Sequence, residues 1–399
     1  MIRCGMQKVR TLTIFLALIL LALSCSPSTD KSSSTSSPNT LEGLDAAQWY
    51  EKGNSLYSSK NYVEAVQCYD KAISLDRRLS DAYASRGDAH FNLKDFRLAV
   101  SDYDKFIELN PNSAEIFFAR GQARYRLGDY RQSIKDCDSA IELNPNLVGA
   151  HNLRGISYSA IGDDMEAIRS YDKAIELAPS VAVYYVNRGA SNSHLRRHQQ
   201  AINDLEKAIE LNPNEANAYT FLGRVYAFYM GNHEEAIKDL DRAIGLNPKD
   251  PAPYEVRGFC YGELGDYQQA IRDCNKAIEL NPKLAGAYNT RGEVYRKLGN
   301  FQQAIKDLDK TIELSPKPPS TVYNNRGLAF AGLREYERAI RDYDKAIDLD
   351  PNKDVIYWNR AWAYSNMGND SRAIDDMKIA ARLGMKQAQD YLRSRKLAW

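Results

Sequence analysis

Apolar and small residues recur along most of this chain at helical spacing, in two runs for every 34 residues. The stretch 251–284 shows the beat most clearly. Tyr254, Gly258 and Tyr261 stand at i, i+4 and i+7, which places them on one face of a first helix. Ala270, Cys274 and Ala277 repeat that spacing on a second helix. Gly265 and Asp266 break the chain between the two. Asn281-Pro282 stops the second, because proline cannot continue a helix and restrains the residue before it. The next window carries Tyr288, Gly292, Tyr295, Phe301, Ala304 and Pro316 in the same order. Glycine at the eighth position and alanine at the twentieth lack bulk, so two helices can approach there. A larger group overpacks such a contact at roughly 1–3 kcal/mol. Neither helix can bury its apolar face within one unit, so the pattern predicts a stack in which neighbours supply the missing surface.

Ten units follow one another. The eighth-position residues are Gly53, Gly87, Gly121, Gly155, Gly189, Gly223, Gly258, Gly292, Gly327 and Ala361, and every twentieth-position residue is alanine or serine. Closing prolines run from Pro111 to Pro351, with Arg77 and Met385 in their place in the first and last units. This set of positions resembles the tetratricopeptide repeat (TPR) over about 46–387. The resemblance implies an all-α fold, a right-handed α-α superhelix of about ten units, with residues 388–399 as one more amphipathic helix capping the last. Three places depart from the rule. The sixth unit has an extra residue around Tyr229-Met230-Gly231-Asn232, and the join after the eighth has another in Ser315-Pro316-Lys317-Pro318-Pro319, read as a stiff elbow. In the fifth, Arg196-Arg197-His198 replaces the usual turn.

Position 7, usually leucine in these repeats, is arginine in eight units: Arg86, Arg120, Arg154, Arg188, Arg257, Arg291, Arg326 and Arg360. Position 23 is aspartate in eight: Asp102, Asp136, Asp204, Asp239, Asp273, Asp307, Asp342 and Asp376. Arginine suits bidentate pairing with carboxylate, so a ladder of pairs within the units is expected. Ser170 opposite Arg154 and Leu222 opposite Asp239 interrupt it.

Charge and composition narrow the function. The 53 basic and 52 acidic side chains give +1. Arg3, Lys8 and Arg10 lie in residues 1–24, which hold no acid, so the remainder has 50 basic against 52 acidic groups, or −2. That balance offers no electrostatic footprint for nucleic acid. The six cysteines show no metal-type spacing. Cys137 and Cys274 take a packing position, and Cys260 and Cys274 lie on the two helices of one unit, close enough in sequence logic for a disulfide to be weighed. His90, His151, His194, His198 and His233 are scattered, and His194 and His198 need not share a helix face. No HExxH, GxSxG or phosphate-loop pattern occurs. The expectation is a protein without catalytic residues, metal or cofactor.

The start of the chain reads differently. Residues 1–10 are basic, Thr11–Leu23 is an apolar run too short for a comfortable membrane span, and the end is small: the order of a secretory signal. Leu21-Ala22-Leu23-Ser24-Cys25 resembles a bacterial lipobox, with Ala22 where leucine is commonest. The resemblance implies a signal peptide over 1–24 and acyl chains, palmitate among them, on Cys25. A multiply acylated cysteine holds stably in a bilayer. Ser26 after the cysteine implies the outer rather than the inner membrane of a bacterial envelope. Residues 25–45 are Ser/Thr-rich and read as a flexible tether.

In TPR proteins the first helix of each unit lines a concave groove. Carried over by position, the partner-binding candidates are Tyr50, Asn54, Tyr57, Phe91, Phe118, Tyr125, Asn152, Asn187, Arg224, Phe228, Phe259, Asn289, Asn324, Asn325, Trp358, Asn359 and Trp362. Repeated asparagine can bond the main chain of an extended peptide, and aromatic rings supply contact energy at small entropic cost. The Lys-and-Asn pair of TPRs that grip a terminal carboxylate is missing; the first unit has Tyr50 with Asn54. The expectation is an envelope-anchored protein that binds other proteins, with a carbohydrate or peptidoglycan binder as the alternative.

Overall fold

The computed structural model describes residues 43–399. The signal segment 1–24, Cys25 and most of the tether lie outside the described residues. The described part forms two compact units, 43–213 and 214–399.

The first unit holds five helix pairs: α1 (Ala46–Ser58) with α2 (Tyr62–Leu75), α3 (Ser80–Asn92) with α4 (Phe96–Leu109), α5 (Ala114–Arg126) with α6 (Tyr130–Leu143), α7 (Val148–Ile161) with α8 (Asp164–Leu177), and α9 (Ala182–His194) with α10 (His198–Leu211). The second unit opens with α11 (Ala216–Val225), extended by a π-turn Tyr226–Met230, and α12 (His233–Leu246). Then come α13 (Pro251–Leu264) with α14 (Tyr267–Leu280), α15 (Ala285–Lys297) with α16 (Phe301–Leu314), α17 (Ser320–Gly332) with α18 (Tyr336–Leu349), α19 (Asp354–Asn366) with α20 (Asp370–Arg382), and a last helix α21 (Lys386–Ser394). Among the described residues there is no strand. Within each unit every helix packs on the next in the chain, and first helices of neighbouring repeats also touch.

The turns explain the pairing. Gly265 adopts φ +87° after α13, and the Asp266 side chain then accepts the Gln269 N–H at 3.0 Å to cap α14. The same left-handed position is taken by Gly128, Gly162, Gly299 and Gly368, but also by Lys60, Lys94, Arg196 and Arg334. Arg196 is the residue that broke the expected turn pattern of the fifth repeat, and the backbone keeps its shape there despite the side chain. The extra residue of the sixth repeat does not lengthen a loop. It widens the end of the first helix into the π-turn; Gly231 then turns at φ +64°, and Asn232 N–H closes back on Tyr226 C=O at 3.0 Å.

The small positions do what their size implies. A Cβ on Gly155 would sit 2.5 Å from the Tyr171 ring, and one on Gly258 would sit 2.9 Å from Cys274 Sγ. Ala65, Ala99, Ala167, Ala201, Ala270 and Ala339 are fully buried. Residues 388–399 are helical only as far as Ser394. The helix begins at Lys386, and its Ala388 and Leu392 cover Met377, Ala380 and Ala381 of α20.

Candidate functional site

Two surfaces arise from the recurring positions, and they have different chemistry. On one, the arginines of position 7 form the expected pairs. Arg86, Arg120, Arg188, Arg257, Arg291, Arg326 and Arg360 each donate to the aspartate of their own repeat, as in Arg257 Nε and Nη2 to the two Asp273 oxygens, both at 2.7 Å. Arg154 donates instead to Ser170 Oγ at 3.1 Å. The sequence reading missed the second half of the arrangement. Nη1 of each arginine reaches back to a residue of the preceding repeat: Asp70 from Arg86, Asp104 from Arg120, Asp138 from Arg154, Asp172 from Arg188, Asp241 from Arg257, Asn275 from Arg291, Asp309 from Arg326 and Asp344 from Arg360. Position 25 carried that signal, an acid in most repeats, but its partner lies in another repeat. Most of these guanidiniums also lie over the ring at position 4, as Arg257 does over Tyr254 at 5.7 Å. Each arginine therefore ties one repeat internally and to its neighbour.

The titration of the ladder has two opposed trends. Burial pushes Asp102 and Asp136 up in spite of their guanidinium bonds. Burial also works against charge on Arg86 and Arg120, yet their two carboxylates each hold them above the ordinary value. Both oxygens of Asp102 accept guanidinium N–H bonds, and that geometry fits the ionised pair.

The other surface is the face of the first helices. In the 43–213 unit, Tyr50, Asn54 and Tyr57 of α1 share one face and meet Tyr69 of α2 and Ser85 and Asp88 of α3 around a cleft of about 270 Å³. Tyr69 OH donates to Asn54 Oδ1 at 2.9 Å, Asn92 Nδ2 donates to Tyr57 OH at 3.0 Å, and Tyr103 OH donates to Asp88 Oδ1 at 2.6 Å. Burial pushes the Asp88 carboxyl up, opposed by the Tyr103 bond. Burial and then the Asp88 charge push Tyr57 up to about 12. Asp88 and Ser85 also stand at first-helix groove positions, but the expected residues there were aromatics, asparagines and Arg224.

Other candidates divide into those that pack and those that stay open. Tyr57 meets Tyr62, Phe91 meets Phe96 and Tyr125 meets Tyr130, each pair at 5.3 Å across its own inter-helix turn. These rings are half-buried parts of the repeat as much as groove contacts. Phe118 lies against Gly149 of the next repeat. Asn152 corrects the expectation: it is 5% exposed, and its oxygen accepts from Asn187 Nδ2 at 3.0 Å. At that burial the amide presents little surface to a peptide.

In the 214–399 unit, Asn359 Nδ2 donates to Asn324 Oδ1 at 2.9 Å in the same manner, and Asn325 beside it is half-buried. The Asn289 oxygen is enclosed without a hydrogen-bond partner among the described residues. Phe228 lies on Phe259 at 4.8 Å next to the π-turn, with His233 edge-on to Phe259 and Arg224 half-buried on α11. Trp358 and Trp362 meet edge-on at 6.1 Å, and Trp362 is 50% exposed.

Among the described residues the five histidines are not brought together. His194 Nδ1 lies 3.1 Å from Asp164 at the α8–α9 contact, while His198 opens α10. Among the described residues no group of three His, Cys, Asp or Glu is placed to hold a metal ion. Cys68, Cys137, Cys260 and Cys274 are free and buried, so the Cys260–Cys274 bridge weighed from sequence is not formed. Burial pushes the Cys260 thiol up to about 12.

Comparison with known proteins agrees with this architecture. One family model described as tetratricopeptide repeat matches residues 46–79, 254–284, 285–318 and 320–353, and a second with the same description matches 84–148, 118–182 and 194–251. Together they cover most of 46–353. No curated protein matches the chain. Among solved structures, the APC/C hetero-tetramer Cut9–Hcn1 is similar at 17% identity and TM-score 0.58, over 88% of this chain and 76% of that one. A tetratricopeptide repeat protein from Parabacteroides merdae matches at 23% identity and TM-score 0.49, over 63% of this chain and 98% of that one. MamA matches at 30% identity and TM-score 0.37, over 43% of this chain and 92% of that one.

Proposed function

We propose that this chain, which belongs to the tetratricopeptide-repeat family, is a non-catalytic protein–protein interaction scaffold held at the bacterial cell envelope by a lipid on Cys25. The observation that carries the scaffold reading is the division of labour between the two surfaces. The arginine ladder and the small positions account for the stack, while Trp362 stays half exposed and the Tyr50–Asn54–Tyr57 face opens on a cleft. Exposed aromatic rings on a rigid helix face are suited to anchoring an extended peptide or a helix of a partner.

The order of basic, apolar and small residues before Cys25 supports the anchor, and Ser26 favours the outer membrane. Residues 26–45 would then hold the repeats near the bilayer and raise their effective concentration toward envelope partners, aiding assembly of an envelope complex. Each first-helix face would add contacts that are individually weak.

Fractionation of cells expressing the full chain tests the anchor: Cys25→Ala is expected to move the protein from membrane to soluble fractions, and retention in the membrane would refute lipidation as the sole tether. Titration of the chain against isolated cell-wall glycan tests the scaffold reading. No saturable binding is expected. Saturable binding lost in Trp358→Ala and Trp362→Ala would replace it with a carbohydrate-binding function.

A further inference from the structure

We infer that the cleft between the first two repeats is a receptor for a cationic side chain, a lysine or arginine, projecting from a partner polypeptide; the inference rests on the scaffold reading. Most aspartates at the ladder positions of this chain are matched to guanidiniums. Asp88 is different. It sits on α3 and lines the cleft, its Oδ1 takes the Tyr103 hydroxyl at 2.6 Å, and no Lys, Arg or His of the described residues forms an ion pair with it.

Burial works against charge on the Asp88 carboxyl, and an incoming cation would supply the counter-charge that favours its ionised form. Aromatic walls add a second criterion. Tyr50, Tyr57 and Tyr69 line the cleft, the Tyr50 and Tyr69 centroids lying 6.0 Å apart. Ring faces attract ammonium and guanidinium groups, and more strongly where water is excluded. The same walls cover the methylene stem of a long basic side chain, which suits lysine or arginine better than a small inorganic cation. The hydroxyls around the cleft are already oriented by internal bonds: Tyr69 on Asn54, and Tyr57 under Asn92. A preorganised pocket pays less to bind.

An anionic or wholly apolar ligand fits poorly. The carboxylate would repel the first, and the second would leave Asp88 desolvated without compensation.

The test uses the full chain with labelled tyrosine rings observed by NMR. It is titrated with an acetylated, amidated Gly-Gly-Lys-Gly-Gly peptide and with its twin carrying norleucine, which keeps the stem and removes the charge. The lysine peptide is expected to shift the Tyr50, Tyr57 and Tyr69 signals and to bind at least about tenfold more tightly than the twin. Asp88→Asn keeps an acceptor for Tyr103 OH and is expected to abolish the preference. Should that variant misfold, Tyr50→Leu, which removes one aromatic wall, is expected to weaken the lysine peptide severalfold. Equal affinity for the two peptides, an unchanged preference in Asp88→Asn, or no binding of either would overturn the inference. A partner cross-linked in cells through the 214–399 unit would leave the scaffold reading standing in each of those cases, and the loss of every such adduct would remove that reading instead.

Discussion

Removing Asp273 should damage the array far more than removing Asp241, although both bond the same arginine. Asp273 is 3% exposed and takes two guanidinium bonds at 2.7 Å. The Asp241 side chain is 54% exposed and takes one bond at 2.5 Å. Breaking a buried pair by neutralising one partner costs about 3–5 kcal/mol, because the other charge is left without compensation. Arg257 keeps some solvent contact and its second carboxylate, so the low end, about 3 kcal/mol, is expected for Asp273→Asn and for Arg257→Gln. The exposed Asp241→Asn should cost no more than about 1 kcal/mol. In the double variant Asn and Gln can bond each other without charge, which should give a coupling energy of about 2 kcal/mol. Repeat arrays do not reliably unfold in one step, so the assay is hydrogen exchange of α13 and α14 amides, supported by urea midpoints. Additive losses in the double variant, or an Asp241→Asn loss as large as that of Asp273→Asn, would refute the ladder as a coupled, partly buried device.

Three further outcomes follow from single features. Gly155→Ala puts a methyl 2.5 Å from the Tyr171 ring and should destabilise the fourth repeat by roughly 1–3 kcal/mol in the same exchange experiment; a neutral effect would contradict the close approach. Cys68, Cys137, Cys260 and Cys274 should be silent to a thiol reagent until the chain is unfolded, and rapid labelling of any of them in the native state would contradict their burial. Burial and the Asp88 charge raise Tyr57 from 10.0 to about 12, so its folded value lies above its unfolded one. The stability it contributes is complete below the unfolded value and is lost as pH rises through the folded one. Tyrosinate absorbance should accordingly develop at higher pH in the folded than in the urea-unfolded chain, and coincident titrations would contradict it.

Much of this was legible because recurrence averages over ten copies. Arg257 and Asp273 announced their pairing by returning at fixed spacing, and Gly258 and Ala270 announced close packing in the same way. Asp241 was equally regular, yet its partner belongs to the following repeat, and spacing within one unit does not reveal a contact made by stacking. The inserted residue near Met230 was visible as a count, but whether it would lengthen a loop or widen a helix depends on backbone hydrogen bonds such as Asn232 to Tyr226. Asn152 looked available because it stands at a groove position; its bond to Asn187 depends on a side chain of the next repeat. Asp88 stands at the same groove position as Asn54, yet its meaning comes from Tyr50, Tyr57 and Tyr69 lining the cleft with it and from the Tyr103 hydroxyl.

The central claim is that partners dock on the first-helix faces, and site-specific photo-cross-linking in intact cells tests it most directly. A photoreactive residue placed at Trp362 on α19 is compared with one at the partly exposed Lys276 on α14, a second helix within 214–399. A discrete protein adduct is expected from Trp362 and none from Lys276. Adducts from Lys276 alone, or none from either position, would contradict the account.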